Sequence, residues 1–570
     1  MEFLKNILSS LTALVLFALL VSSILLIVLF YTSSESETND YSILHIKIDD
    51  NLVDRQNSSD ISLVKSSYCS SSLSEIQYAI NNAEKDSMIK GVFLEIGDLS
   101  GSLANVSSLK RTIESFKNTG RRVTVYSDGL SQIAYYLASS GDSIYVSNLS
   151  NIEWKGLGAQ LMYFKTMLDR IGIQAQPIRA GKYKSAVEPF ILDSMSSQNK
   201  FQLSEMLNDI WSNILMDVSK ERGVSIDELN RVADDLGFLN PYEALQIGLV
   251  DGIKFEDEVL LSLDEMAGGK AVLIKTQDYN KKNKIFSKNK SKIVVVNADG
   301  SIVDSNSDSD ISSVRYCKIF DDILCDENVK GVVLRINSPG GSALASEKLW
   351  RKLKLIGEKL PLIVSMGNYA ASGGYYIACA ADTIIAEKNT ITGSIGVFGL
   401  LFNASRLTEK IGVKVEKVKT NQMSDFPSFD RSLSDKEKNR ISKGINSVYT
   451  LFKLRVQRGR SLTEAQVDQL AEGRVWTGKQ ALNLGLIDKL GGLEDALEIA
   501  ANSANIEKFK IIHLPEEKSP IEAVLQKFSQ QTQLNFPQPF SQYNYMIQNP
   551  DFFGSFSKPQ ARLPFVIKID

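Results

Sequence analysis

Residues 331–342 have the sequence "GVVLRINSPGGS", and residues 91–102 have the related sequence "GVFLEIGDLSGS". In each stretch a run of apolar residues precedes glycine and serine, a pattern typical of a buried strand that ends in a tight turn. A helical pattern over residues 342–359 follows the later stretch. Because strands then alternate with helices, the sequence predicts the parallel sheet of an α/β domain.

The two stretches belong to a repeat with an offset of 240 residues. Residues 135–144 and 375–384 match at the same offset. From 91–156 to 331–396 no gap is needed, and 14 of 66 positions are identical. Agreement at one fixed offset across separated blocks predicts two homologous α/β domains in tandem.

Composition shifts along the chain predict the limits of these domains. We expect an N-terminal anchor at residues 1–40, a first domain at 41–267, a linker at 268–291, a second domain at 292–515 and a C-terminal extension at 516–570. The linker is assigned from its basic and polar composition, and the extension from its lack of any counterpart in the first domain.

The N-terminal stretch of residues 7–31 contains no charge in 25 positions. As a helix it would extend about 37 Å, enough to cross a bilayer core of about 30 Å. Lys5 precedes it and no Lys or Arg follows until Lys47, so we expect the N-terminus in the cytoplasm and the body on the periplasmic side. A cleaved signal peptide is the alternative, although the residues after the stretch offer a poor cleavage site.

The overall composition excludes several classes of function. A net charge of −3 gives no reason to expect nucleic acid as a partner. Of the four cysteines, Cys317 and Cys325 lie eight apart in a predicted helix, about 12 Å from each other and too far for a disulfide. The two histidines, His45 and His513, both lie in strand-like patterns. We therefore expect neither a serine–histidine–acid triad nor a histidine-rich zinc site.

Ser372 is the candidate nucleophile, since it lies between two alanines and two glycines in "AASGGYY". It ends a predicted turn at residues 367–372, which joins a predicted strand at 361–366 to a short helix, and the "SPGGS" turn is of the same kind. Backbone amides of Gly341 and Gly373 could together hold the oxyanion of a tetrahedral intermediate. The alternative is that these glycines only make tight turns.

The candidate base comes from comparing the two copies at the offset of 240. The first copy has Gln132 where the second has Ser372, and the second has Ser424 where the first has Lys184. This complementarity predicts one composite site per pair of domains. Lysine can act as a base near neutral pH only if burial lowers its pKa from about 10.4.

Four blocks together, "AASGGYY", "INSPGGS", "TGSIGVFG" and "YKSAVEPF", resemble the long form of the signal peptide peptidase (protease IV) family. That family is related to the Clp protease proteolytic subunit and to the crotonases, and the resemblance extends over about residues 42–515. It implies two tandem α/β domains of the Clp and crotonase type. It also implies roles for individual residues: Ser372 as nucleophile, Lys184 as general base, Ser394 as the residue that orients the lysine, and Gly341 and Gly373 as oxyanion donors.

The resemblance further implies a serine protease without a cofactor that degrades cleaved signal peptides at the bacterial cytoplasmic membrane. Its expected partners are signal peptides and other hydrophobic peptides, membrane lipid, and further copies of itself in a homotetramer. Tyr369 is bulkier than the small residues usual in the family, which leaves the cleavage preference open. Two alternatives remain: a crotonase-like acyl-CoA enzyme, and a non-catalytic membrane scaffold.

Overall fold

The structure is a computed structural model that describes residues 41–55, 72–283, 289–516 and 559–563, together with isolated positions between 12 and 23. The predicted membrane span at residues 7–31 lies almost wholly outside these described residues. Within them, every helix is too short or too polar to cross a bilayer.

The first half of the chain alternates strands with helices. Its strands are β1 (Ser42–Ile48), β2 (Ile89–Ile96), β3 (Arg122–Ser127), β4 (Ser143–Val146), β5 (Ile152–Trp154), β6 (Gln174–Ala180), β7 (Gly237–Leu239), β8 (Gly252–Ile253) and β9 (Val272–Lys275). Its helices are α1 (Leu73–Ala83), α2 (Leu103–Lys117), α3 (Gln132–Ala138), α4 (Lys165–Ile171), α5 (Glu188–Ile191), α6 (Ser197–Arg222), α7 (Ile226–Asp235), α8 (Pro241–Ile247), α9 (Glu256–Ala267) and α10 (Thr276–Asn283), with a 3₁₀ turn at Ser185–Val187.

The second half repeats this alternation. Its strands are β10 (Lys292–Asp299), β11 (Ile302–Val303), β12 (Ile311–Ser312), β13 (Val329–Ser338), β14 (Gly340–Ser342), β15 (Leu362–Ala371), β16 (Thr383–Ala386), β17 (Ile391–Gly393), β18 (Val397–Asn403), β19 (Val475–Thr477), β20 (Lys489–Leu490), β21 (Lys510–Leu514) and β22 (Gln560–Arg562). Its helices are α11 (Ser313–Cys325), α12 (Ala343–Gly357), α13 (Gly373–Ala378), α14 (Ser405–Lys410), α15 (Asp435–Arg460), α16 (Glu464–Leu470), α17 (Gly478–Asn483) and α18 (Leu493–Ser503).

The first half is built on a six-stranded sheet of order β8-β4-β3-β2-β1-β9, in which every pair is parallel. Apolar side chains of both faces are buried: Leu44 and Ile46 contribute to one hydrophobic cluster, and Ile43 and Phe93 to a second cluster that includes α9. Burial on both faces explains why the strands have long apolar runs. The predicted parallel α/β sheet is confirmed for this half.

The second half has the corresponding sheet, with parallel pairing along β15-β13-β10-β21 and an antiparallel pair of β17 with β19. The predicted strand at residues 331–336 lies within β13, and the predicted helix after it is α12. The interpretation of residues 367–372 as a turn is wrong, because β15 continues to Ala371. The extra residues are held in the strand by β17, which pairs Tyr369 with Ile391 and Ala371 with Gly393.

The stretch at residues 268–291, predicted to be a linker, includes β9 and α10. β9 pairs with β1 through the register of Ser42 with Val272, and so forms the edge of the first sheet. Residues 284–288 of this stretch lie outside the described part of the chain. The domain limits themselves stay predictions.

A third sheet, of order β12-β11-β14-β22-β18-β6, joins the two halves. Its strand β6 comes from the first half and pairs antiparallel with β18 of the second half, from Ala180 opposite Val397 to Gln174 opposite Asn403. Because β6 ends at Ala180, opposite Val397 of β18, the residues that follow β6 lie next to the second half. Those residues include Lys184.

Buried charge also ties the halves together. The Arg335 guanidinium, only 3% exposed, donates to the Asp54 carboxylate at 2.7 and 2.9 Å. Arg111 donates to Glu387 at 2.6 Å and to Asp495 at 2.8 Å. Arg335 crosses from β13 to the first half, so these charge-assisted bonds restrict how the halves can move relative to each other.

Candidate active site

Ser372 lies at the junction between β15 and α13, with φ of 54° and ψ of −112°. Such a backbone is rare for a residue with a Cβ, and strain of this kind is concentrated at functional sites. It is held there by two hydrogen bonds: the Ser372 N–H donates to Gly393 O and the Tyr376 N–H donates to Ser372 O, both at 2.8 Å. A serine on a sharp strand-to-helix turn presents its hydroxyl away from both elements.

Lys184 reaches the same place from the first half, immediately before the 3₁₀ turn at Ser185–Val187. The loop that follows β6 is fixed by the second half, since the Tyr183 N–H donates to Glu472 O at 2.8 Å. Gly473 packs so closely on this loop that a Cβ there would lie 2.7 Å from Lys184 N and 2.8 Å from Lys184 Cβ. The backbone of Lys184 is therefore seated against a loop of the other half.

The two predicted catalytic side chains meet within one chain. Lys184 Nζ lies 2.7 Å from Ser372 Oγ, 3.0 Å from Ser394 Oγ and 3.1 Å from Ser394 O. Ser372, Lys184 and Ser394 are all fully buried. Ser394 also has a positive φ, of 52°, and its N–H donates to Arg474 O at 2.7 Å.

Burial holds the pKa of Lys184 well below its ordinary value of 10.5, and desolvation alone accounts for this direction. A neighbouring carboxylate would raise the pKa again by favouring the ammonium. The three oxygens around Nζ are two hydroxyls and one carbonyl, which carry no charge. The site therefore favours the neutral amine, the form that can accept a proton.

The glycines of "SPGGS" lie beside Gly373, the residue that follows Ser372. A Cβ on Gly373 would lie 3.1 Å from Gly341 N, and a Cβ on Gly340 would lie 2.7 Å from Gly373 N. Gly340 has φ of 97°, a left-handed conformation that favours glycine. The backbones of Gly341 and Gly373 therefore lie close to each other, where the helix that follows Ser372 begins.

The corresponding place in the first half is filled by side chains. Gln132, at the position equivalent to Ser372, accepts at Oε1 from the N–H groups of Lys155 and Gly156, both at 2.9 Å. Its Nε2 donates to Gly156 O at 3.0 Å. Trp154, at the position equivalent to Ser394, is fully buried. The Gln132 amide therefore holds the backbone of Lys155 and Gly156 in place, where the second half has its candidate site.

Neither histidine belongs to the site. His45 lies on β1, where its Nε2 is 2.8 Å from Glu95 Oε2, and His513 lies on β21, where burial lowers its pKa to about 4. Both were predicted to be strand residues, and both are. Sequence reasoning missed the loop of Glu472, Gly473 and Arg474, which positions Lys184 and Ser394 through backbone atoms and so leaves no side-chain pattern to recognise.

Comparison with known proteins identifies the family to which the chain belongs. The sequence profile of Peptidase family S49 matches residues 115–270 and 354–507, one match in each half. This chain belongs to Peptidase family S49. The two matches confirm that homologous domains of this family follow each other in tandem.

Curated relatives agree with this assignment. This S49 peptidase is 36% identical to Protease 4 of Haemophilus influenzae over 76% of this chain and 73% of that protein. It is 33% identical to the chloroplastic serine protease SPPA of Arabidopsis thaliana over 79% of this chain and 68% of that protein. A solved structure of a ClpP1 mutant from Listeria monocytogenes overlaps 36% of this chain and 94% of its own, with a TM-score of 0.24 and 15% identity.

The resemblance to the protease IV family is thereby confirmed, and the protein is a serine peptidase of the signal peptide peptidase type. Of the alternatives, a crotonase-like acyl-CoA enzyme does not agree with the S49 matches. A scaffold without activity does not agree with the enzyme class that they establish.

Proposed function

We propose that this S49 peptidase is a membrane-anchored endopeptidase that cuts cleaved signal peptides with a Ser372–Lys184 dyad. The observation that carries the proposal is the 2.7 Å contact between Lys184 Nζ and Ser372 Oγ in a fully buried setting. With no histidine near the hydroxyl among the described residues, the lysine amine is the group placed to take its proton.

The geometry supports a complete proton path. A neutral amine has two N–H groups and one lone pair, and Ser394 offers two acceptors, Oγ at 3.0 Å and O at 3.1 Å. If both N–H groups donate to Ser394, the lone pair is directed at the Ser372 hydroxyl. Ser394 thus acts as a positioning residue for the base.

The reaction then follows in two stages. Ser372 Oγ attacks the carbonyl carbon of the peptide bond while its proton moves to Lys184 Nζ, and the N–H groups of Gly341 and Gly373 receive the developing oxyanion. Lys184 next gives that proton to the leaving amine. A water molecule hydrolyses the ester, with Lys184 again accepting the proton, and Ser372 is restored.

Anchoring and substrate choice complete the proposal. The uncharged stretch at residues 7–31 supports a single membrane span with the body on the periplasmic side of the cytoplasmic membrane. An anchored body would meet peptides left in or beside the bilayer, which are hydrophobic. Signal peptides after their release are the substrate class that fits both the anchor and the family.

The pH dependence of acylation tests the dyad. Because only the neutral amine accepts the proton, the rate should fall as pH drops through the pKa of Lys184, which burial holds well below 10.5. We expect labelling of Ser372 by a fluorophosphonate to rise with pH along a single titration whose midpoint lies well below 10.5. Labelling is measured by mass spectrometry across the pH range.

Two results decide this test. A midpoint near 10.5, the value of an exposed lysine, would contradict the dyad. Absence of label on Ser372 at every pH would contradict the assignment of the nucleophile. Ser394→Ala serves as the comparison, since loss of its hydroxyl should move the midpoint while leaving the label on Ser372.

Assembly into a homotetramer is part of the proposal, and the repeat suggests how copies would pair. Within one chain, β6 of the first half pairs with β18 of the second half. At the offset of 240, the counterpart of β6 is residues 414–420 and the counterpart of β18 is residues 157–163. In the described structure neither stretch is helical and neither belongs to a sheet. Pairing of residues 414–420 with residues 157–163 of the next copy would repeat the internal contact and close a ring.

Exposed apolar side chains near this edge support the same pairing. Val415 is 47% exposed and Val418 is 105% exposed, and Ile411 and Val413 just before them are exposed too. Unpaired apolar edges of this kind are sites for strand addition.

We expect Val415→Glu with Val418→Glu to reduce the detergent-solubilised full chain from four chain masses to one, as measured by native mass spectrometry. Two carboxylates placed in a buried strand pair would repel and lose hydration. Val314→Glu is the control, because Val314 is 59% exposed on α11, away from this edge. A double variant that stays tetrameric would contradict this edge as the interface.

A further inference from the structure

The strand β22 lies beside the oxyanion loop, although it comes from near the end of the chain. It pairs antiparallel with β14, with Gly341 opposite Ala561 and Ser342 opposite Gln560. On its other side it pairs antiparallel with β18 at Phe398. Three residues of the extension thus fill the gap between two strands that border the active site.

The register of this pairing brings the Ala561 carbonyl to the oxyanion amides. The Leu563 N–H donates to Pro339 O at 2.7 Å, and the Ala343 N–H donates to Pro559 O at 3.2 Å. Hydrogen-bonded pairs recur every second residue in an antiparallel ladder, so Gly341 and Ala561, midway between them, form such a pair. The Gly341 N–H therefore faces the Ala561 carbonyl oxygen.

Close packing around that oxygen agrees with the register. A Cβ on Gly340 would collide with Ala561 O, and a Cβ on Gly373 would lie 3.0 Å from it. Because glycine has no Cβ, these two positions leave room for the Ala561 carbonyl oxygen. The oxygen thus lies among the three glycines that surround the oxyanion position.

The side chains of the segment are seated as well. Ala561 is fully buried, and Leu563 is buried in the hydrophobic cluster that contains Ala371 and Ile391. The Ala561 side chain stands perpendicular to the sheet and is fully covered there, so a large side chain would have to displace the atoms that cover it. A bound peptide would meet the same restriction at the residue whose carbonyl is attacked.

Without β22 the third sheet would have two open edges, at β14 and at β18, facing each other across one strand's width. Such a gap is the geometry in which an extended peptide binds by strand addition, with main-chain bonds giving affinity and side-chain pockets giving selectivity. Because the gap lies against Gly373, the residue after Ser372, a peptide bound in it would bring its carbonyl group close to the candidate nucleophile.

We propose that this gap is the peptide groove and that residues 559–563 occupy it and compete with substrate for it. Ala561 takes the position of the residue whose carbonyl is attacked. The enzyme is therefore inhibited by its own chain, and it prefers extended peptides with a small residue at that position. This inference rests on the proposed function. It adds to it the regulation and the side-chain preference of the same site.

Competition of this kind changes KM and leaves kcat unchanged, because substrate binds only the fraction of molecules whose groove is free. If the groove is free about one-tenth of the time, releasing the segment lowers KM about tenfold. Ala561→Trp in the full chain should release it, because the larger side chain cannot enter the buried seat. We expect this variant to hydrolyse a fluorogenic peptide with alanine before the cut bond at about one-tenth of the wild-type KM.

Leu149→Trp is the matched control: it adds the same side chain at a position 97% exposed and should keep the wild-type KM. A second measurement adds a synthetic peptide with the sequence of residues 557–565 to the Ala561→Trp variant. It should raise KM again without lowering kcat.

Two outcomes would overturn the proposal, and they distinguish a failure of this inference from a failure of the proposed function. If Ala561→Trp keeps the wild-type KM while Ser372 hydrolyses the peptide and takes the fluorophosphonate label, the segment does not compete and the proposed function stands. If neither hydrolysis nor label occurs in any of these proteins, the proposed function fails, and this inference fails with it.

Discussion

Ser372→Ala should lower kcat for peptide hydrolysis about a million-fold, the size of loss that follows removal of a serine nucleophile from a catalytic unit. The reason is that no acyl-enzyme can form once Oγ is absent. The described contact of that oxygen is with Lys184 Nζ, so its loss leaves the backbone bonds of residue 372 in place. Initial rates with a fluorogenic peptide measure the loss, and far-ultraviolet circular dichroism verifies the fold.

Ser140→Ala is a matched control. Ser140 is also buried, and its hydroxyl donates to Leu137 O in the first half, away from Ser372. We expect this variant to keep kcat within about twofold, since one local hydrogen bond is worth about 1 kcal/mol of stability and has no part in the reaction. Residual activity of Ser372→Ala within tenfold of wild type would show that another nucleophile does the chemistry.

The architecture follows from periodicity and repetition alone. Buried parallel strands have continuous apolar runs, and such runs at the offset of 240 predict two similar sheets, both of which are found. The end of β15 is different. The sequence predicts a turn at residues 367–372, yet pairing with β17 keeps residues 369–371 in the strand. A partner strand from later in the chain overrides the local pattern, and no local rule contains it.

In the candidate site, too, local sequence patterns predict some residues and not others. Ser372 and the glycines can be predicted because each lies in a local strand–turn–helix signal. Lys184 can be predicted only by comparing the copies and by family resemblance, since a lone lysine in a loop has no local signature. What brings it to Ser372 is the pairing of β6 with β18, a contact between residues more than 200 positions apart.

The seat of β22 could not be predicted from its composition. Residues 516–570 have no counterpart in the first half, and "PQARL" at residues 559–563 has no strand-like alternation. Its extended form is imposed by the two strands beside it, β14 and β18. Hydrogen bonds to an existing edge require only a backbone free to donate and accept, so they impose little on the sequence.

Lys184→Met should lower kcat by about ten thousand-fold, the upper range for loss of a general base. Methionine is chosen because its unbranched apolar side chain fills the space of the buried lysine stem and carries no proton acceptor of comparable strength. Because Ser372 and Lys184 act as one unit, the double variant with Ser372→Ala should be no slower than Ser372→Ala alone. Single-turnover rates with an activated ester substrate measure this non-additivity.

Lys110→Met is the control for the loss of a buried lysine that lies outside the candidate site. Lys110 is also buried with a lowered pKa, but its Nζ donates to the Glu221 carboxylate at 2.7 Å. Loss of Lys110 leaves that carboxylate without its cation, so we expect lower stability with kcat intact. Among the residues that the structure describes, Lys184 has no such partner, and desolvation alone lowers its pKa.

The two lysine variants should therefore differ in opposite ways: Lys110→Met loses stability and keeps its activity, whereas Lys184→Met loses activity and keeps its stability. An amine buried away from water and from any carboxylate costs free energy in the folded state, and methionine removes that cost. Lys184→Met should accordingly unfold at the same temperature as the wild type or higher, as measured by differential scanning calorimetry, while it loses its activity. A fall in both would mean that Lys184 supports the packing between the halves, and the base would have to be sought elsewhere.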